Sequence, residues 1–149
     1  MNVEGTKEFE ASRAVVWSVI NDPAQMAGLM PGVEGFEIKD ERHWQAKVKV
    51  PLGLGGLKMT IDFEKLEERP PEFASMNAKG KGVGAMMNMT TSFTLSGEGD
   101  HTSMAWSADV KIAGPVGSMG QRVLQPIINQ QVANVLSALE VQVQKAKAG

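Results

Sequence analysis

The amino-acid sequence predicts an α+β fold in which the helices are segregated from an antiparallel sheet, and three observations carry that prediction. Apolar and polar residues alternate in one N-terminal segment and in six further segments between Val33 and Ile112, divided by turn residues at hairpin spacing. Residues 13–30 carry two short helical patterns, each opened by a capping residue. From Gly114 the apolar spacing changes to three and four and holds to Ala146, the mark of one long helix. At 149 residues the chain reads as a single domain, 1–149, able to bury about two-thirds of the surface its unfolded form exposes.

Residues 2–11 set Val3, Gly5, Lys7, Phe9 and Ala11 against Glu4, Thr6, Glu8 and Glu10, a first strand with one solvated face. Ser12 is an N-cap for a helix over 13–21 whose buried side is Val15, Val16, Val19 and Ile20. Asp22-Pro23 ends it and opens a second short helix over 24–30, because Asp caps and Pro suits the first helical position; Pro31-Gly32 stops that one. Strands are predicted over 33–39, 43–50, 57–63, 73–79, 85–96 and 102–112, with PLGLGG at 51–56 as a loop and Pro70-Pro71 as a turn. Over 73–79 neither face is large, so alternation leaves open whether Phe73 or Met76 points inward. Gly80-Lys81-Gly82-Val83-Gly84 has phosphate-loop spacing, but it lies between strands, lacks the Lys-Ser/Thr ending and opens no helix, and it reads as a hairpin.

The final helix is predicted to start near Pro115, after Gly114, and to run roughly 30 residues, about 45 Å. Its apolar positions are Val116, Met119, Val123 and Ile127 together with Leu124, Ile128, Val132, Val135, Leu139 and Val143, one broad stripe. Pro126 removes the hydrogen bond to the Arg122 carbonyl, which places a kink between them.

Composition narrows the function. There is no cysteine, which excludes disulfides and thiolate chemistry, and 15 basic against 17 acidic residues give a formal charge of −2 with no basic run carrying aromatics, which argues against nucleic acid. The N-terminus shows no signal pattern and no segment offers about 20 consecutive apolar residues, so a cytoplasmic chain without a transmembrane segment is expected. Ten methionines and the absence of tyrosine make the apolar material soft and poor in hydroxyls. His43 and His101 sit on a polar strand face and beside a turn with no second ligand at metal spacing, and no serine or threonine lies in a nucleophile elbow. No metal, no cofactor and no catalytic residues are expected.

Asp22-Pro23, Pro31-Gly32-Val33-Glu34, the Gly-rich turn at 53–56, Gly80-x-Gly82-x-Gly84 and Gly114-x-x-Gly117-x-x-Gly120-x-Arg122 together resemble the CoxG family, the G subunits of carbon monoxide dehydrogenase, which are small START-like (SRPBCC) proteins associated with molybdenum hydroxylases. The resemblance covers nearly the whole chain. It implies a helix-grip fold, a curved seven-stranded antiparallel sheet wrapped around the C-terminal helix with an apolar cavity between them. Some members carry a C-terminal extension thought to reach the membrane; this chain ends at Gly149, so attachment by that route is not expected, and a peripheral membrane contact stays open.

On that fold the inward residues become the wall of a ligand site: Trp44, Val48, Met59, Ile61, Phe63, Met76, Met87, Met89, Phe93, Met104 and Trp106 from the strands, with Met119, Val123 and Ile127 from the helix. Met26, Leu29 and Met30 on the second short helix, with Gly117 and Gly120, would form its mouth. By residue pattern alone the same set reads as filled core; the resemblance turns the reading to a cavity. Only Thr91, or Asn77 if its strand is reversed, breaks the apolar inward pattern. The resemblance implies a non-enzymatic carrier of a lipophilic small molecule, quinone- or lipid-like, working in lipid transport or beside a molybdenum-containing oxidoreductase. An assembly factor acting through protein contact is the alternative, and a small cyclase or hydrolase the third reading.

Overall fold

A computed structural model describes residues 1–29, 32–52, 55–115 and 120–148. The chain runs β1 (Asn2–Phe9), α1 (Arg13–Ile20), α2 (Pro23–Leu29), β2 (Val33–Ile38), β3 (His43–Leu52), β4 (Gly55–Arg69), β5 (Phe73–Gly82), β6 (Ala85–Ser96), β7 (Thr102–Ala113) and α3 (Gln121–Ala148). The strands form one antiparallel sheet in the order β1-β7-β6-β5-β4-β3-β2. Helices α1 and α2 carry the chain from one sheet edge to the other, and every later strand-to-strand connection joins neighbours. The sheet curves around α3, which is the helix-grip arrangement.

Capping begins the short helices where the sequence places them. Ser12 Oγ accepts the Val15 N–H at 3.3 Å, and Asp22 Oδ1 accepts the Ala24 N–H at 3.0 Å with Pro23 as the first residue of α2. The 80–84 glycine run is a hairpin, closed by the Gly82–Ala85 pair.

Three boundaries differ from the sequence expectation. Of the expected loop over 51–56, residues 51–52 and 55–56 are strand, because β3 and β4 pair as far as Pro51 with Gly56 and Leu52 with Gly55, and 53–54 lie outside the described residues. Strand β4 continues six residues past Phe63 to Arg69, shifting register between Lys65 and Glu67. Helix α3 starts at Gln121 rather than near Pro115: Gly120 has φ +85°, a left-handed conformation that a right-handed helix cannot include, and its carbonyl accepts the Leu124 N–H at 3.1 Å. The 28 residues of α3 span about 42 Å, with Pro126 inside.

Among the described residues the core is three clusters. One joins the C-terminal half of α3 (Leu139, Val143) to α1 (Val16, Val19, Ile20), Phe9, Leu95 and Met104. A second lies on the inner face of β3, β4 and β5 and holds Trp44, Ala46, Val48, Met59, Ile61, Phe63, Met76 and Ala78. The third sets Val3, Ala108 and Val110 under Ile128 and Val132 of α3. Polar ties close the ends: Lys7 Nζ meets Glu140 Oε2 at 2.8 Å, Thr102 Oγ1 donates to the Ala11 carbonyl at 2.7 Å, and Lys65 Nζ donates to the Asn21 carbonyl at 2.7 Å, where the end of α1 offers an unpaired acceptor.

Candidate functional site

Strand alternation decides which side chains can share a site, and cross-strand partners settle the segment the sequence left open. On β5, Ala74, Met76, Ala78 and Gly80 are buried, so Met76 points inward. Asn77 lies on the outer face, where its amide donates to Asn88 Oδ1 and Thr90 Oγ1. Met76, Met59, Ile61, Val48, Trp44 and Phe63 pack together, with the Trp44 and Phe63 rings stacked at 5.2 Å. Met104 and Leu29, expected in the wall and at the mouth, lie in the cluster around α1.

At the middle of the inner face the packing changes. Met87, Met89, Phe93 and Trp106 are half-buried, not buried, although Ala74, Ala78, Met104, Ala108 and Val110 beside them are core. Each touches two clusters: Met87 and Met89 the second and third, Phe93 the first and second, Trp106 the first and third. Met26 of α2 packs between the first and second. Thr91 stands at the meeting point. Its β-ladder partners are Met76 on one side and Ala108 on the other, and Met89 and Phe93 flank it along β6.

Among the described residues three buried polar atoms have no hydrogen-bond partner: Thr91 Oγ1 and Trp106 Nε1 at this centre, and Trp44 Nε1 in the second cluster. Leaving such a group unpaired in an apolar surround costs about 1–3 kcal/mol, so each position favours an incoming partner. Indole N–H groups only donate, whereas a threonine hydroxyl donates or accepts. Gly5 makes room for one of these rings, since a Cβ there would lie 2.8 Å from Trp106 Cζ2. Beside the same indole, a cleft of about 490 Å³ opens between the β1 edge and α3, lined also by Val3, Val132 and Leu136. Val3 pairs with Ala108, which pairs with Thr91, so the cleft lies two strands, roughly 10 Å, from the hydroxyl. None of the predicted wall residues of β3–β5 lines this cleft.

The helix packs through most of the stripe expected of it, Val135 included, but not through the two positions assigned to the wall. Leu124, Ile128, Val132, Leu136, Leu139 and Val143 supply its packing stripe, whereas Val123 is 42 % exposed and Ile127 is half-buried outside the clusters. Val123 and Ile127 each precede a stripe residue by one position, about 100° around the helix, so they lie on its flank. Gly120 is exposed at the start of α3, and Met30, Gly117 and Met119 lie outside the described residues.

Sequence reasoning also misses Lys65, because it ends β4 at Phe63, and it misses the carboxylates around both histidines. His43 contacts Asp40 at 2.9 Å and Glu64 at 3.3 Å, and His101 contacts Glu8 at 3.0 Å and Glu10 at 3.5 Å. Cross-strand pairing, invisible in linear spacing, brings Glu64 opposite His43. The backbone N–H of Arg42 and then His43 hold the Asp40 carboxyl below its ordinary value, while Asp40 first and Glu64 next raise His43. All of these groups are exposed, and among the described residues no group of three or more His, Asp or Glu is placed to hold a metal ion.

The model of the CoxG family, described as the G subunit of carbon monoxide dehydrogenase, matches residues 5–144. Among solved structures, a conserved protein from Geobacillus kaustophilus superposes with a TM-score of 0.89 at 19% identity, covering 98% of this chain and 97% of that one. A START superfamily protein from Mycobacterium smegmatis gives 0.72 at 18% identity, with 97% of each chain covered. The Zhui aromatase/cyclase from Streptomyces sp. R1128 gives 0.72 at 15% identity, covering 97% of this chain and 94% of that one. No curated protein sequence matches. At these identities the structures speak for the fold alone, and among the described residues no helix is long and apolar enough to cross a membrane.

Proposed function

Since the chain belongs to the CoxG family of carbon monoxide dehydrogenase subunits, we propose that it binds a hydrophobic small molecule between sheet and α3 and serves as an accessory protein to a molybdenum-containing oxidoreductase. The observation that carries the reading is the half-buried centre of the inner face, where Met87, Met89, Phe93 and Trp106 surround Thr91 between three packed clusters. Apolar walls of this kind hold a ligand by excluding water, worth roughly 25 cal/mol per Å² buried, and methionines repack around varied shapes. The unpartnered Trp44, Thr91 and Trp106 groups narrow the class to an apolar skeleton bearing carbonyl-type oxygens, as a quinone does, because two of the three can only donate. Binding is favoured over turnover because the neighbours of Thr91 are Met76, Met89, Phe93 and Ala108, with no base or acid among them to activate its hydroxyl. The oxidoreductase partner follows from the family's name, not from a surface of this molecule.

The reading is tested by titrating the protein with menadione and following tryptophan quenching. Met89→Asp puts a carboxylate into the apolar wall and lowers affinity by more than about tenfold, since an unpaired charge there costs several kcal/mol. Met89→Leu keeps the wall and the affinity. Equal binding by all three proteins would place the ligand elsewhere.

A further inference from the structure

Opposite the inner face, the β-ladder gathers six lysines at one end of the sheet. Lys49 pairs with Lys58; the next row runs Lys47, Thr60, Lys81, Met86, Ala113; the third runs Glu37, Gln45, Asp62, Lys79, Asn88, Lys111. All six are exposed and none forms an ion pair among the described residues. The carboxylates in these rows are Asp62, which accepts from Gln45 Nε2 at 2.8 Å, and Glu37, both in the third; Glu34 flanks the patch in the β2 bulge. The next row holds Glu64 and Asp109, and the far end of the sheet mixes both signs: Asp40, Glu41, Glu67, Glu68, Glu72, Glu98 and Asp100 lie in its turns and strand ends with Arg13, Arg42, Lys65 and Arg69, and Glu72, Glu68 and Glu67 are paired with Arg13, Lys65 and Arg69. A chain of formal charge −2 therefore concentrates positive charge on one face. At the rim of that face the β5–β6 hairpin holds out Val83, 92 % exposed, beside Met86, 57 % exposed.

We propose that this lysine face, with Val83 at its rim, docks on an anionic lipid surface. Every cation in the three rows is lysine and none is arginine. Protein interfaces are depleted in lysine and enriched in arginine and aromatic anchors, whereas a bilayer of anionic headgroups accepts mobile ammonium groups without fixed geometry. An apolar side chain at the rim of a basic surface adds shallow insertion at the headgroup boundary. The inference stands on charge placement and is independent of what the inner site holds.

The test is co-sedimentation of the whole chain with vesicles of phosphatidylcholine alone or mixed with phosphatidylglycerol. Binding is expected only to the mixture, and raised salt abolishes it because screening shortens to about 3 Å at 1 M. Each lysine near an anionic surface is worth roughly a fivefold change in partition, so Lys47→Glu with Lys81→Glu lowers binding by more than about twentyfold. Lys39→Glu with Lys145→Glu, the same charge change elsewhere, leaves most of it. Val83→Ser, at a fully solvated tip that folding does not need, weakens binding by about two- to fivefold. Equal binding to both vesicle types, or equal loss in both double variants, overturns the proposal. So does a chain that ignores phosphatidylglycerol yet binds polyglutamate through Lys47 and Lys81, which would give the face to an acidic protein.

Discussion

Replacing Thr91 by valine separates a ligand contact from a packing contact, because the two change in opposite directions. Valine keeps the shape and β-branching of threonine and removes only the hydroxyl. That hydroxyl has no partner among the described residues, and its β-ladder neighbours Met76 and Ala108 are apolar, so removing it relieves an unpaired polar group in the empty protein. The free protein is expected to hold or gain stability, by up to about 1–3 kcal/mol. A carbonyl ligand loses one hydrogen bond worth about 0.5–1.5 kcal/mol, a two- to twelvefold fall in affinity. The assay compares two probes of one carbon skeleton, menadione and 2-methylnaphthalene, by tryptophan quenching in both proteins, with urea denaturation of each unliganded form. Thr91→Val should weaken menadione and leave the hydrocarbon unchanged. Destabilisation of the empty protein, or an equal loss for both probes, would refute the reasoning.

Two further outcomes follow. Leu139, 2 % exposed where α3 meets α1, loses about 2–5 kcal/mol of stability on truncation to alanine; a urea-midpoint change worth less than about 1 kcal/mol would mean that this end of α3 is not docked. The Asp40–His43 contact responds to pH from both sides: His43 is raised above 6.5, so its contribution is complete below that pH and fades as pH rises through the raised value, while Asp40 is lowered below 3.8 and its contribution fades as pH falls through that lowered value. Asp40→Asn should move the His43 midpoint downward in an NMR titration of the imidazole, and an unmoved midpoint would contradict the assignment.

Much of the fold is legible because each strand divides one face of core from one face of solvent. Alternation across residues 85–96 alone gives the bounds of β6, and the caps at Ser12 and Asp22 place α1 and α2. Where backbone pairing rather than side-chain patterning holds an element, the sequence is silent: the last six residues of β4 pair with β5 across a register shift, and the glycines at 55–56 pair with β3. Gly114-Pro115 has the form of a helix start, yet the positive φ of Gly120 delays α3 to Gln121. The expected stripe holds from Leu124 through Val143, while Val123 and Ile127 fall on the helix flank. In the candidate site, Thr91 is visible as a break in an apolar pattern, but the unpaired indole nitrogens are not, because sequence reports a tryptophan and not what surrounds its N–H.

The central claim is that the half-buried centre of the inner face holds an apolar, carbonyl-bearing molecule. Native mass spectrometry of the protein purified from a quinone-producing host, followed by organic extraction, tests it most directly. The account predicts one stoichiometric adduct whose extracted mass and absorbance identify a lipophilic carbonyl compound. A protein that emerges empty, and that takes up neither menadione nor 2-methylnaphthalene when they are added, would contradict it and leave Met87, Met89 and Phe93 as ordinary core.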